Sequence, residues 1–166
     1  MLIDSSLELA DNATLPTSGT LTNNLVIGGS IDLRGTIGIG DNATVDLSAC
    51  EPLSLVIEVT TIPAGSLATY NFTAFTHTAS VDAGDAAAGT ELFRTGLIAK
   101  ALLPAGKRFI VSLPEADYAR YLMVAGAANA TGGGVIDTGN INAFITKDVT
   151  NWTGTADRVP ATDPTT

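Results

Sequence analysis

His77 and Cys50 are the one imidazole and the one thiol in the chain. Brought together they could form a nucleophile, because an imidazole that takes the thiol proton leaves a thiolate able to attack a carbonyl. Such partners converge through the fold and not through sequence spacing, so their settings must be weighed. Cys50 immediately precedes Glu51-Pro52 at the start of an expected strand, and His77 stands between Thr76 and Thr78 at the end of another. Those settings read as a small half-buried thiol and a polar strand end. A zinc site on one His and one Cys would need two carboxylates and matches none of the usual structural sets. Asp82, Asp85 and Glu91 share one loop, "VDAGDAAAGTE", and offer the hard oxygens that calcium takes, but their spacing fits no EF-hand. Acids in a loop ordinarily face water.

The glycine-rich stretch "GTIGIGD" lacks the Lys that a P-loop aims at phosphates and precedes no helical pattern. "TGGGV" is shorter still, and both read as turns. Asp and Glu pairs suited to glycoside hydrolysis are defined by their separation in the fold, and nothing singles out a pair. The sequence therefore predicts no catalytic residue, no cofactor and no metal, and the chain is read as a non-enzyme.

What remains is surface. At 166 residues the chain is the size of one domain and long enough to bury a core. Apolar residues make up 45% and charged residues only 15%, so much of the surface is neutral, which suits burial against neighbours. Seventeen acids against eight Lys and Arg give a net charge of −9. Lys100, Lys107, Arg108 and Arg120 are scattered singly, without the cationic cluster that displaces counterions from a phosphate backbone, so no nucleic-acid partner is expected. A lone Cys makes no internal disulfide and is consistent with a reducing cytosol. The opening "MLIDSSLELAD" lacks the basic region of a secretory leader. No apolar run approaches the roughly 18 to 20 residues that span a bilayer, so no membrane is expected either. The N-x-[ST] sequons at Asn12, Asn42, Asn71, Asn129 and Asn151 follow from abundant Thr and Asn.

Period-two alternation places the elements, since successive side chains of a strand leave opposite faces. It is clearest from Leu53 to Thr61, with Leu53, Leu55, Ile57 and Val59 on one face; Pro63, Ala64 and Gly65 are expected to close this strand. Leu7 to Leu9, Leu21 to Ile27 ended by Gly28-Gly29, and Ser30 to Leu33 are shorter candidates. Ala68 to Thr78 carries Tyr70, Phe72 and Ala74 on one face and Asn71, Thr73 and Phe75 on the other. Leu92 to Leu103 reads as a strand ended by Pro104. "KRFIVSL" points Phe109, Val111 and Leu113 inward; Tyr121 to Ala127 is apolar throughout and is expected to be central; "VIDTGNINAFITKDV" points Ile141, Ala143 and Ile145 inward. About eight short antiparallel strands with frequent turns predict an all-β sandwich or barrel. The domain is expected over residues 1–150. The tail, 151–166, has no periodicity and reads as an arm, with Trp152 at its root as an anchor for a partner's pocket.

Five stretches, "MLIDSSLELAD", "LVIGGSIDL", "ACEPLSLVIEV", "LPEADYARYLMV" and "GNINAFITKDV", occur in the order in which they occur in the Bbp16-type capsid cement proteins of tailed bacteriophages, and through them the chain resembles that family as far as about Val149. The resemblance implies a β jelly roll that assembles as small oligomers, here a homotrimer or homodimer, on the outer surface of a phage head, where it clamps major capsid protein subunits after synthesis in the host cytoplasm. The insertion Val81 to Glu91 and the tail after Asn151 depart from it. Partner contacts are expected from the terminal segments, through Leu2, Ile3, Leu7, Leu9, Trp152 and Val159. The competing expectation is a carbohydrate-binding sandwich for host attachment, with Tyr70, Tyr118 or Trp152 exposed to stack on sugars.

Overall fold

Short alternating segments separated by Gly, Pro and Asn cannot each bury a face alone, and in the computed structural model they resolve this by pairing at long range. The structure describes residues 7–16, 24–33, 53–65, 69–85, 87–113, 118–129 and 136–146. Nine strands lie among the described residues: β1 (Glu8–Thr14), β2 (Leu25–Asp32), β3 (Leu53–Gly65), β4 (Thr69–His77), β5 (Thr90–Arg94), β6 (Ile98–Ala99), β7 (Arg108–Leu113), β8 (Tyr121–Asn129) and β9 (Ile136–Thr146). One sheet has the order β1-β9-β3-β7 and the other β2-β8-β4-β5, with β6 also paired to β4. Every pairing is antiparallel. With the two-residue β6 set aside, the first of the eight remaining strands pairs with the last, the second with the seventh, the third with the sixth and the fourth with the fifth. That nesting is the jelly roll, an all-β sandwich as the alternation predicted.

Between the sheets lies one core. Leu55, Ile57 and Val59 of β3 and Ile141, Ala143 and Ile145 of β9 face Tyr70, Phe72 and Ala74 of β4 and Leu122 and Val124 of β8. Phe72 bridges the layers, its ring centroid 5.0 Å from Tyr70 on its own strand and 5.6 Å from Phe109 on β7. β8 lies between β2 and β4 and is buried from Leu122 to Ala128, the central position that its apolar content predicted.

Tyr70 shows what such packing costs. Its hydroxyl is buried without a hydrogen-bond partner among the described residues, against Gly126, where an added Cβ would come within 2.3 Å of it. Burial pushes the phenol far above its ordinary value. The folded protein therefore keeps its proton after the unfolded chain has lost it. Stability is fully present below about pH 10 and falls above it by up to about 1.4 kcal/mol per pH unit. Tyr70→Phe removes an unpaired polar group worth about 1–3 kcal/mol. The variant is expected to melt higher than the parent at neutral pH and to show a shallower alkaline loss in a melting series; Tyr118, also raised by burial, supplies the remaining slope.

Several boundaries differ from the alternation reading, each for a backbone reason. Gly28-Gly29 do not end a strand: β2 runs through them as a bulge between Ile27 and Ser30, so "LVIGGSID" is one strand. β1 extends to Thr14 across two irregularities, with Asn12 at φ 44°. Asn12 is fixed there by its N–H donating to Asn142 Oδ1 (2.6 Å) and its Oδ1 accepting from Thr60 (2.9 Å). β3 likewise passes Pro63 to reach Gly65 through repeated register shifts, the setting in which a sheet tolerates proline. The strand expected over Leu92 to Leu103 is broken in two. Gly96 takes φ 74°, the Thr95 hydroxyl accepts the Phe72 N–H (3.0 Å) in place of a ladder bond, and Lys100–Leu102 form one 3₁₀ turn. The expected strand at Leu21 begins at Leu25; residues 21–23, the "RGTIGIGDNAT" loop, Cys50 and the 151–166 arm lie outside the described residues.

Candidate interaction surfaces

Of the residues weighed for chemistry, His77 and Glu91 are each held by a structural task, and Cys50 lies outside the described residues. His77 ends β4, and its Nδ1 accepts the backbone N–H of Ala79 at 3.0 Å, which fixes the turn after the strand. Glu91 is tied to Arg94 on β5, Glu58 on β3 to Arg108 on β7 at 3.1 Å, and Asp32 on β2 to Arg120 at 2.8 Å. Hydrogen bonding to Asp32 and to Glu91 raises the pKa of Arg120 and Arg94 respectively. Arg120 also lies 5.1 Å from the Tyr121 ring centroid. Among the described residues, no three His, Cys, Asp or Glu side chains gather as metal ligands. Asp82 and Asp85 share a turn in which the Asp85 N–H donates to the Asp82 carbonyl at 3.2 Å, while Glu91 is engaged elsewhere.

That acidic, Ala-rich segment has a role no spacing argument disclosed. Between His77 and Thr90 it crosses the outer face of the second sheet as a strap. Val26 on the sheet's edge strand donates its N–H to Asp85 (2.9 Å) and accepts from Gly84 (2.9 Å), and Ala87 donates to the Asn24 carbonyl (2.7 Å). Val81 and Ala87 pack onto a second apolar cluster, Val26, Phe75, Met123 and Ala125, on the face away from the main core. Both faces of β4 are thus buried. Beside this cluster Asn71 donates to Asn24 Oδ1 and Thr73 Oγ1, both at 3.2 Å. The signal was the apolar phase of Phe75, Met123 and Ala125, opposite to that of the core residues.

Of the side chains expected to meet a partner, Leu9 is only 2% exposed and belongs to the core. A side chain already covered by its own domain has no surface to offer, so Leu9 is withdrawn from the contact set. Leu7 is half-buried just before β1. Leu2, Ile3, Trp152 and Val159 lie outside the described residues. Tyr70 and Tyr118, expected to stack on sugars, are both buried; neither presents a ring face, and the sugar-binding expectation loses them for that reason. Among the described residues, the large apolar side chains that are exposed are Ile62, Leu97, Leu102 and Ile110. The first three lie at the end of the sandwich where β3 stops and β6 pairs with the start of β4; there Lys100 Nζ donates to the Gly65 carbonyl. Ile110 stands apart on the edge strand β7.

No protein-family model matches the chain, and no curated protein matches it in sequence.

Proposed function

We propose that this chain is a structural decoration protein of a tailed-phage head, binding the outer surface as a small homo-oligomer and tying neighbouring major capsid subunits together. The observation that carries the reading is where the five motifs fall. They coincide with β1, β2, β3, β8 and β9 or their entrances, and those strands are hydrogen-bonded neighbours, β1-β9-β3 in one sheet and β2-β8 in the other. The resemblance thus covers a contiguous part of a jelly roll, the fold that it implies. A jelly roll alone would not support a function, because one fold serves many. Of the two departures, the strap lies on that part, bonded to Val26 of β2 and packed on Met123 of β8, and the tail lies outside the described residues.

An adhesive role needs exposed apolar groups and several linked contacts. Ile62, Leu97 and Leu102 supply the former at one end. Leu2, Ile3, Leu7, Trp152 and Val159 are the terminal contacts of this reading. Linking contacts through an oligomer raises avidity by about 10²–10⁴ without new kinds of contact.

The test is addition of the full chain and of a chain lacking residues 151–166 to undecorated heads. The full chain is expected to bind stoichiometrically. The truncated chain is expected to melt as the parent does and to bind at least tenfold more weakly in a sedimentation assay. Full occupancy by the truncated chain removes the arm from the contact set, and failure of the full chain to bind heads overturns the reading.

A further inference from the structure

Residues 95–107 join β5 to β7 and are fastened to the sandwich at several points. The Thr95 hydroxyl meets the Phe72 backbone, Ile98 and Ala99 pair with Tyr70 and Thr69 as β6, and Leu103, fully buried, enters the main core. The paired register of β3 with β7 ends at Glu58↔Arg108, and this connection takes over that side of β3. Gly106 donates to the Val59 carbonyl (2.7 Å), Val59 donates to the Lys107 carbonyl (2.9 Å), and Lys100 Nζ donates to the Gly65 carbonyl. Ile62 lies on β3 between those two anchor points. A surface fixed this way gives up little freedom when a partner covers it.

Its outward chemistry differs from that of the rest of the chain. Leu102 is 63% exposed, Ile62 54% and Leu97 50%. Neither 59–65 nor 95–107 contains an Asp or Glu, although the chain has seventeen acids and a net charge of −9. The charges these two stretches do carry are Lys100 and Lys107. Arg94, Arg108 and Arg120, the other cations among the described residues, are each paired with a carboxylate. Lys100 is held by a backbone carbonyl, and Lys107 lies 5.7 Å from the Phe109 ring centroid. Both lysines therefore keep a positive charge that no acid among the described residues cancels.

We propose that this end of the sandwich is a docking face for an acidic protein surface with apolar hollows between its carboxylates; resting on the decoration reading, that surface belongs to the outside of a major capsid subunit. Leu97, Leu102 and Ile62 are the apolar anchors, and Lys100 and Lys107 meet the carboxylates. Apolar groups exclude water at the centre of such a contact, while the charges beside them steer the approach and select the partner. An anionic bilayer also takes apolar groups flanked by lysines, but two lysines do not offset a net charge of −9 against its headgroups.

Sedimentation with undecorated heads tests the face, using the full chain and three variants: Leu102→Asp, Lys107→Glu and, at an exposed position on the strap, Ala83→Asp. The parent is expected to bind, less tightly as salt rises. Leu102→Asp is expected to bind about tenfold more weakly, and Lys107→Glu to bind more weakly with a shallower salt dependence. Ala83→Asp is expected to bind as the parent does, and all three to melt as it does. Parental binding by Leu102→Asp or by Lys107→Glu overturns the face and leaves the decoration reading standing. Equal weakening by Ala83→Asp also overturns it, since any added negative charge would then suffice. A parent that binds no heads overturns the reading and the face together. Should Leu102→Asp fail to fold, Lys107→Glu decides. Two further results assign the face to another occupant and overturn the proposal: an oligomer of the free chain that Leu102→Asp takes apart in light scattering, or sedimentation of the parent with phosphatidylserine vesicles.

Discussion

Leu55→Asp is expected to leave no folded protein. Leu55 is fully buried between β9 and β7 on the inner face of β3, where its burial contributes about 1.5–3 kcal/mol. The substitution forfeits that and places a carboxylate among Ile57, Ile145 and the facing residues of the other sheet. Burying an unpaired charge costs several kcal/mol more, and the sum meets or exceeds the roughly 5–15 kcal/mol by which a domain is stable. Leu55→Ala is the control: it loses about 2–5 kcal/mol and is expected to fold with a lowered melting temperature. Circular dichroism of the soluble fraction and a thermal melt separate the outcomes. A cooperatively melting Leu55→Asp variant would place this side chain outside the core.

Gly28→Ala has the second-largest expected effect, because two separate costs coincide. Gly28 has φ 73°, and a Cβ there would lie 2.1 Å from the Leu9 carbonyl and 2.9 Å from Ala10 Cα. The obstruction is backbone, which cannot swing aside as a flexible side chain would. The left-handed conformation costs a residue with a side chain about 1–2 kcal/mol, and overpacking adds about 1–3 kcal/mol. Gly29→Ala meets nothing within 4 Å and is expected to stay within about 0.5 kcal/mol of the parent. The two adjacent variants, compared in urea titrations, isolate the close approach of β2 to β1. Equal midpoints would remove Gly28 from its role.

Much of the fold was legible because one face of each major strand is apolar at period two. Leu55, Ile57, Val59, Ile141, Ala143 and Ile145 carry that signal, and all are in the core. Pairing partners were not legible, since alternation says which face is buried and not which strand lies alongside. The bulges were misread as strand ends: Gly28-Gly29 and Pro63 carry turn chemistry, yet here they bend a continuing strand. The strap was missed because an Ala-rich acidic loop looks solvated when read without Val26, Phe75 and Met123, the residues it covers. Leu9 was given to a partner on its position near the chain's start, although its phase in β1 assigns it to the core. The exposure of Ile110, by contrast, was contained in "KRFIVSL", where Phe109, Val111 and Leu113 claim the inner face.

The nested strand order also governs how the molecule comes into being. Among the described strands, β1 pairs only with β9, about 130 positions later, and β3 finds its neighbours only in β7 and β9. During synthesis the early strands of the first sheet must wait, unmatched, for nearly all of the described chain. Closure of such distant loops precedes any reward from the contacts they bring, which makes assembly slow and leaves sticky, half-finished species at risk of clumping. Yield on expression is therefore set by the speed with which β9 arrives and docks as much as by the strength of the finished sandwich.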